Sequence, residues 1–298
     1  MIMRLDPAIF RESDIRGVVG ENLSPQTAAA IARAYVAFLR RRDGRRGDAQ
    51  PVIVGRDNRE SSPEIGDAVI AELRRVGCSV VDIGTVITPV FYFARVHLGI
   101  DGGIMVTASH NPSQFNGFKL AHGFGTLYGE EIQEVRALAA AAGPGDDATA
   151  EGGAGAERRL PGEPAAVDVG SGVGERGTPG VERRDMLPAY RRMLRERIRL
   201  GPRRLRVVVD CGNGTASLIA PQALEDLGCE VIPLYCESDP RFPHHHPDPV
   251  DPENLHDLIA AVRRERADVG LGFDGDGDRL GVVDDQGAIL WGDMLMIL

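Results

Sequence analysis

The chain has 298 residues, of which 43% are hydrophobic and 26% are charged, and its formal net charge is −10. These are ordinary values for globular proteins, and the length suits two domains of about 100–200 residues each. The acidic balance argues against nucleic acid or an anionic membrane as the main partner, because both require a basic face. A small anionic substrate is compatible with it, since a local arginine cluster matters more than the total charge.

The sequence carries no targeting or membrane signal. No segment approaches the roughly 20 apolar residues that span a bilayer, and residues 1–6 lack the basic-then-apolar pattern of a secretion signal. Four cysteines without metal-binding spacing indicate small buried residues in a reducing compartment: Cys78, Cys211, Cys229 and Cys236. The sequence therefore predicts a cytoplasmic protein.

The first part of the chain predicts alternating helices and strands. Residues 24–39 fit a helix, because Ser24 can cap it, Pro25 suits its first turn and apolar residues recur at helical spacing. A strand at 51–55, a helix from 62 to about 76, and strands at 79–83 and 103–106 follow. Strands that alternate with helices indicate an α/β domain with a largely parallel sheet.

A second α/β unit follows a stretch that lacks any periodicity. The range 139–185 is rich in Gly, Ala and Pro and predicts a flexible linker or insertion between domain 1 (1–138) and domain 2 (186–293). The predicted elements of domain 2 are helices at 186–198, 216–227 and 254–266 and strands at 205–210, 229–234, 268–273 and 280–283. Residues 294–298 start another apolar segment, which we interpret as the beginning of a third domain. The fold class is therefore two consecutive α/β domains with mixed, largely parallel sheets flanked by helices.

Three carboxylates follow the predicted strand at 268–273, namely Asp274, Asp276 and Asp278. Three like charges this close repel one another unless a cation neutralises them. Oxygen ligands favour a hard ion, with Mg²⁺ ahead of Mn²⁺ or Ca²⁺. An EF-hand calcium loop does not fit, because its sixth position requires glycine and this chain has Arg279 there. A solvated acidic turn is the weaker alternative, since α/β folds place their sites after buried strands.

A polar loop with a candidate nucleophile follows the predicted strand at 103–106. Ser109 and His110 lie in the run Thr-Ala-Ser-His-Asn-Pro, and Lys119 lies shortly after it. A serine on such a loop can act as a nucleophile with these polar partners, although the same composition also suits an ordinary turn. Lys119 is the only lysine among 34 basic residues. Genomic base composition explains most of that bias, but an ammonium at this one place also fits a specific requirement.

Four further segments are weaker signals. Residues 13–17 predict a turn whose charged pair includes Arg16. Residues 55–62 lie between a strand and a helix, where they could hold an anion, support the serine loop or simply cap the helix. Residues 244–246 are three consecutive histidines among prolines, which cannot all face one ion and therefore indicate a surface loop. The turn at 210–214 is explained by the backbone freedom of its glycines.

The motifs together resemble the α-D-phosphohexomutases. They are DIRG at 14–17, GRD at 55–57, ASHNP at 108–112, NGFK at 116–119, VVVDCGNG at 207–214 and FDGDGDR at 273–279, and they occur in the order and spacing of that family. IAPQ at 219–222 and HHPDP at 245–249 look most like the bacterial phosphomannomutase/phosphoglucomutase branch. Such enzymes have four domains, so the resemblance implies that this chain covers about two of them and that the loops gripping the sugar and the distal phosphate lie beyond residue 298.

The resemblance also implies roles for individual residues. Ser109 would carry a phosphoryl group, and one Mg²⁺ would be bound by an oxygen of that phosphate together with Asp274, Asp276 and Asp278. Arg279 would contact the phosphoserine, Arg16 and Lys119 would serve acid/base and charge roles, and His110 would lie beside the serine. Phosphoryl transfer needs positioning and positive charge above all, which agrees with this set of residues.

The implied reaction interconverts hexose 1-phosphate and hexose 6-phosphate, of mannose or glucose, through a 1,6-bisphosphate that is intermediate and activator. Alternatives are a phosphoglucosamine mutase, a Mg²⁺-dependent phosphatase, and a Mg²⁺- and phosphate-binding fragment that is catalytically incomplete. The expected partner is a phosphosugar, with no nucleic acid and no membrane, and the expected state is a monomer or weak homo-oligomer.

Overall fold

The computed structural model describes residues 5–43, 51–141 and 180–297, which form two α/β domains with one mixed sheet each. The elements of the first domain, in chain order, are β1 (Ile15–Val18), α1 (Pro25–Arg42), β2 (Val52–Arg56), α2 (Ser62–Arg75), β3 (Val80–Thr85), α3 (Thr88–Leu98), β4 (Gly102–Val106), β5 (Phe115–His122), β6 (Gly125–Thr126), α4 (Glu130–Ala141) and β7 (Val181–Arg183). Those of the second are α5 (Leu187–Arg197), β8 (Arg206–Asp210), α6 (Ala220–Asp226), β9 (Glu230–Leu234), α7 (His256–Glu265), β10 (Val269–Phe273), β11 (Leu280–Asp284), β12 (Ile289–Leu290) and α8 (Gly292–Leu295).

Both sheets combine parallel and antiparallel strands, as predicted. The first sheet has the strand order β1-β5-β4-β2-β3-β7, with β6 beside β5, and β4, β2, β3 and β7 run parallel. β5 runs antiparallel to β1, β4 and β6. The second sheet has the order β12-β11-β10-β8-β9, in which β10, β8 and β9 are parallel and β11 and β12 are antiparallel. The carboxyl ends of β4 and β10 carry the two candidate loops.

The sequence predicts the elements with the strongest patterns to within a few residues. In α1, the Ser24 hydroxyl accepts a hydrogen bond from the backbone N–H of Thr27 (3.2 Å), as expected for a capping residue. Residues Gly102–Val106 are all buried, which explains the continuous apolar run of β4. The helix predicted at 216–227 begins instead with a 3-10 turn at Thr215–Leu218.

The predicted turn at residues 13–17 is wrong, because Ile15–Val18 form strand β1 paired with β5. Gly117 makes this pairing close: a Cβ there would lie 2.0 Å from the carbonyl oxygen of Ile15. Strand β5 itself is absent from the elements that the sequence predicts. The pairing positions Arg16 opposite Gly117, next to the strand that carries Lys119.

A helix and a strand extend into the range 139–185 that the sequence predicts to be a linker. Helix α4 runs to Ala141, and β7 (Val181–Arg183) pairs with the edge of β3 in the first sheet. Residues 142–179, most of the predicted linker, lie outside the described residues. The boundaries of the linker stay a prediction.

The two domains pack against each other through an apolar cluster and through polar contacts. The cluster joins Ile87 and Phe91 of the first domain to Val209 and Ala216 of the second. The backbone N–H of Asn58 donates to the Thr215 hydroxyl (3.1 Å) across the same interface. In the part of the chain that the structure describes, no helix is both long enough and apolar enough to cross a membrane.

Candidate active site

The serine loop, residues 107–114, leaves the carboxyl end of β4 and turns sharply at Ser109. This residue has φ 52°, a left-handed conformation that costs a non-glycine residue free energy, and it is almost fully buried. Its N–H donates to the Thr107 hydroxyl (2.9 Å). Its own hydroxyl donates to Asp274 Oδ2 at 2.7 Å. The strained backbone thus points the serine hydroxyl across the domain boundary.

The acid loop, residues 274–279, leaves the carboxyl end of β10 and is shaped by its own side chain and glycines. Asp274 Oδ1 accepts hydrogen bonds from the backbone N–H groups of Asp278 and Arg279, both at 3.0 Å. Gly277 has φ 71°, which closes the turn. At Gly275 an added Cβ would lie 2.4 Å from the carbonyl oxygen of Ser109, so the two loops are in contact at their backbones.

The acid loop concentrates negative charge, with Asp274 and Asp276 buried and Asp278 exposed. One carboxylate oxygen from each of Asp274, Asp276 and Asp278 lies within 4.8 Å of the others. Burial, followed by repulsion from Asp276 and Asp278, raises the pKa of Asp274 to about 8. Burial and the charge of Asp276 likewise raise the pKa of Asp278. Burial also acts to raise the pKa of Asp276, but the charge of Lys119 and hydrogen bonds from Lys119 and Thr88 lower it to about 2.

The donor set fits a hard divalent cation such as Mg²⁺. All three candidate ligands offer carboxylate oxygens, which Mg²⁺ and similar ions prefer. Asp276 Oδ1 is buried and has no hydrogen-bond partner among the described residues, and an orphaned anionic oxygen of this kind is costly without a cation. A Mg²⁺ ion would be held by Asp274, Asp276 and Asp278, and the Ser109 hydroxyl adjoins the first of these.

Lys119, the only lysine of the chain, brings its ammonium to the acid loop. From β5 its Nζ donates to Asp276 Oδ2 at 2.7 Å and to Asp278 Oδ2 at 2.5 Å. Burial acts to lower the pKa of Lys119, but the two carboxylates outweigh it and raise that pKa well above its ordinary value. Lys119 is therefore a permanent cation beside the serine and the acids, supplied by the opposite domain.

Two threonines of the site escape prediction from sequence. Thr88 Oγ1 donates to Asp276 Oδ2 at 2.7 Å, and its N–H donates to the Asp276 carbonyl at 2.9 Å. Thr107 Oγ1 donates to the same Asp276 Oδ2 at 3.1 Å. Thr88 is the first residue of α3, whose mostly apolar first turns conceal the helical period, and only its Thr-Pro start could have signalled the helix.

The remaining predicted site residues lie around Ser109. Arg16 Nε donates to Asp14 Oδ2 (2.6 Å) and its Nη1 donates to Asn111 Oδ1 (2.7 Å) in the serine loop. His110 Nδ1 lies 3.4 Å from Ser109 Oγ, and burial together with the positive charge of Arg279 lowers the pKa of His110. Arg279 Nη1 lies 3.7 Å from Asp248 Oδ1. The structure thus brings all eight predicted residues to one place.

The histidine run is less exposed than predicted. His244 is exposed and stacks on Tyr235 at 3.9 Å between ring centroids, but the His245 side chain is only 16% exposed. His245 Nε2 lies 3.1 Å from Asp210 Oδ2, at the end of β8. His245 is therefore less exposed than the loop around it suggests, because the buried Asp210 supplies a partner that the sequence does not reveal.

The cysteines are free thiols, and three of the four are buried. Cys236 is half-buried, and its thiol donates to Cys211 Sγ at 3.2 Å. The prediction that the cysteines are small buried residues is confirmed for Cys78, Cys211 and Cys229 but not for Cys236, which is only partly buried.

The fold and the site together indicate the class of protein to which the chain belongs. It is an α/β protein in which two domains, one with a serine hydroxyl and the other with three carboxylates, meet at a candidate site for a hard cation. Residues 7–143 match the model of "Phosphoglucomutase/phosphomannomutase, alpha/beta/alpha domain I", and residues 188–287 match that of domain II of the same family. The chain belongs to the phosphoglucomutase/phosphomannomutase family, as its motifs predict.

Several bacterial relatives match nearly the whole chain. It is 46% identical over 295 residues to a phosphomannomutase/phosphoglucomutase of Pseudomonas aeruginosa, covering 99% of this chain and 56% of the relative. It is 39% identical over 290 residues to a phosphoglucomutase of Neisseria gonorrhoeae, covering 97% of this chain and 56% of that relative. A crystal structure of a phosphoglucomutase/phosphomannomutase family protein from Burkholderia thailandensis superposes with a TM-score of 0.80 at 38% identity, covering 97% and 57% of the two chains. The chain thus spans little more than half the length of these relatives.

Proposed function

We propose that this chain provides the phosphoserine and the Mg²⁺ site of a phosphohexomutase that interconverts hexose 1-phosphate and hexose 6-phosphate. The observation that carries the proposal is the 2.7 Å hydrogen bond from Ser109 Oγ to Asp274 Oδ2, which joins a candidate nucleophile to a candidate metal site across two domains. Family membership supports it, since the similar proteins of P. aeruginosa and N. gonorrhoeae are named for phosphomannomutase or phosphoglucomutase activity.

In this proposal Ser109 Oγ carries a phosphoryl group and gives it to the free hydroxyl of a sugar monophosphate. The resulting 1,6-bisphosphate reorients, and its other phosphoryl group returns to Ser109. Bound Mg²⁺ would neutralise charge on the transferring phosphoryl oxygens. Lys119 and Arg16 add positive charge on the first domain's side, and Arg279 adds it on the second domain's side. His110, whose pKa is lowered, is a neutral proton carrier beside the serine.

The proposed substrate is a phosphosugar of glucose or mannose. The aromatic Phe118 in the Asn-Gly-Phe-Lys motif favours these sugars over glucosamine, because phosphoglucosamine mutases usually have an aliphatic residue at the matching position. We further propose a cytoplasmic location, a monomer or weak homo-oligomer, and no role for nucleic acid or membranes, in line with the acidic net charge.

The proposal is tested by loading the serine. The 298-residue chain is incubated with glucose 1,6-bisphosphate and Mg²⁺, and its intact mass is measured. We expect a species heavier by about 80 Da, one phosphoryl group, that is absent from Ser109→Ala and from chain treated with a chelator. Ser13→Ala, at another serine of the first domain, is the matched control and should load normally.

Other outcomes decide between the alternatives. Release of free phosphate from glucose 1-phosphate, without formation of the 6-phosphate, would establish a phosphatase. Tight Mg²⁺ binding without any loading of Ser109 would favour the alternative of a binding fragment that is catalytically incomplete. Loading of Ser109→Ala at the wild-type level would mean that another residue is the acceptor.

A further inference from the structure

A buried arginine lies behind the serine loop, on the side away from the acids. The side chain of Arg59 is only 1% exposed, and it belongs to the segment between β2 and α2. Its Nη2 donates to the carbonyl oxygens of Ser109 (2.7 Å) and Asn111 (2.6 Å). Its Nη1 donates to the carbonyl oxygens of Pro112 (2.8 Å) and Phe115 (3.1 Å). One guanidinium thus binds four carbonyls of the loop and its exit.

The fifth donor of the same guanidinium is also used. Arg59 Nε donates to Asp57 Oδ2 at 3.1 Å, in a pair that is almost completely buried. An arginine has five N–H donors, so every one of them has a protein acceptor. No donor is left for a phosphate or another anion. This rules out the anion-binding interpretation of the 55–62 segment as far as Arg59 is concerned.

A second layer of hydrogen bonds fixes Asp57 itself. Its Oδ1 accepts from the Ser62 hydroxyl (2.5 Å) and from the backbone N–H of Arg59 (3.1 Å). The fully buried Asn116 donates from Nδ2 to the Ser62 hydroxyl at 2.9 Å. The guanidinium also lies over the Phe242 ring of the second domain, 5.5 Å from its centroid. The network therefore links both ends of the serine loop to the first sheet and touches the opposite domain.

We infer that Arg59 is a positioning residue that imposes the left-handed backbone of Ser109 and so holds its hydroxyl on the acid loop. A non-glycine residue keeps φ 52° only when its surroundings over-determine it, and the guanidinium supplies that constraint by fixing the carbonyl of Ser109 itself. The effect of Arg59 on phosphoryl transfer rests on the proposed function. Its control of the geometry of the serine loop does not.

The test compares the same substitution at two buried arginines. Arg59→Lys keeps the positive charge but replaces a five-donor fork with three donors on a flexible stem, which cannot reach four carbonyls. Arg95→Lys is the matched control. Arg95 is also buried, donates to the carbonyls of Asp101, Gly123 and Gly125, and lies over the Phe91 ring, but it is remote from Ser109.

The first measurement is amide hydrogen exchange, which needs no activity. We expect exchange across residues 108–116 to accelerate at least about tenfold in Arg59→Lys and to stay unchanged there in Arg95→Lys. Unchanged exchange of this segment in a folded Arg59→Lys chain would overturn the inference, whether or not the chain transfers phosphate. Asp57→Asn, which removes the anchor of the guanidinium, is the second variant and should give the same pattern if Arg59→Lys fails to fold.

The second measurement is the rate at which glucose 1,6-bisphosphate loads Ser109. We expect the maximal rate to fall about 100-fold in Arg59→Lys, with the half-saturating concentration nearly unchanged, because the loop is misplaced and no ligand contact is lost. A wild-type maximal rate with weakened saturation would make Arg59 a ligand-binding residue and overturn the inference. If the wild-type chain does not load, the alternative of a catalytically incomplete binding fragment is favoured, and hydrogen exchange alone decides the positioning role.

Discussion

The serine loop and the acid loop meet in space, but they obtain their shapes in opposite ways. The acid loop is internally organised, with Asp274 accepting two backbone N–H groups of its own turn and glycines permitting the curl. The serine loop depends on Arg59, which is 50 residues distant along the chain from Ser109. For charge the dependence is reversed. The acid loop carries negative charges that it cannot balance itself, and Lys119 of the first domain balances them.

The difference teaches which kind of change each loop can survive. A self-organised loop keeps its shape when a distant residue is altered but loses its function when its own charges change. A loop shaped from outside tolerates changes at its surface but fails when its distant support is altered. The following predictions test this difference between the two loops or measure its size.

The largest effect is expected for Asp276→Asn, which changes the charge of the acid loop without changing its size. A metal ligand and the buried partner of Lys119 are lost together, so we expect Mg²⁺-dependent loading of Ser109 to fall about 1000-fold, the equivalent of several kcal/mol of metal stabilisation. Mg²⁺ affinity, measured by calorimetry, should fall in parallel. Asp285→Asn, at an exposed acid of the same domain, should change neither; undiminished loading in Asp276→Asn would contradict the metal assignment.

The second effect concerns the place where the two loops touch. In Gly275→Ala the new Cβ would lie 2.4 Å from the Ser109 carbonyl oxygen, so the loops must separate. We expect loading to fall about 100-fold, the usual result of misplacing a reacting group by about 1 Å. Gly125→Ala, which has no heavy atom within 4 Å of its added Cβ, is the matched control. Equal loading by the two alanine variants would show that the loop contact is dispensable.

A smaller effect is expected on stability from Lys119→Met, which removes the cation that the first domain lends to the acids. The fully buried Asp276 loses its ionic partner, at a cost of about 3 kcal/mol in the free energy of unfolding measured without Mg²⁺. Added Mg²⁺ should restore part of that loss. Arg191→Met, at a more exposed ion pair with Asp226, should cost about 1 kcal/mol or less. Equal losses of stability in the two variants would contradict the expectation that the buried pair contributes more to stability than the exposed pair.

Lys119 also allows a kinetic comparison. In an active preparation we expect Lys119→Ala to lower turnover more than it raises KM, because the ammonium lies against two of the carboxylates that would hold Mg²⁺. Steady-state kinetics over a range of phosphosugar concentrations measures both quantities. An effect confined to KM would make Lys119 a binding residue only.

The smallest effect concerns the turn beside the acid loop, where His245 pairs with Asp210. Burial acts against the charged imidazole, but the hydrogen bond and charge of Asp210 raise the pKa of His245, with smaller contributions from His246 and Asp257. The stabilisation is therefore complete below the unfolded pKa of about 6.5 and is lost as pH rises through the folded pKa. We expect His245→Gln to cost about 1 kcal/mol more at low pH than at high pH in denaturant unfolding. A difference independent of pH would contradict this assignment.

The same contrast explains what the sequence could predict. The acid loop can be predicted because its candidate metal ligands, its glycines and the strand before it are adjacent in the sequence. Lys119 can be singled out because it is the only lysine. The segment at 55–62 left three interpretations open, because nothing local reveals that Arg59 reaches carbonyls 50 residues away. Strand β5 and helix α3 were missed for related reasons: β5 is defined by pairing with β1 and β4, and the first two turns of α3 are almost entirely apolar, which hides its helical period.

The solitary lysine gives the chain an unusual chemical property. Among its side chains only Lys119 offers a primary amine, and two carboxylates keep that amine in its unreactive ammonium form. An acylating reagent applied to the folded chain can therefore react with a single side-chain amine. Because only the deprotonated amine reacts, the rate of labelling reports how strongly the two carboxylates raise the pKa of Lys119. Conjugation chemistry that is routine for lysine-rich proteins becomes, in this molecule, a probe of the site itself.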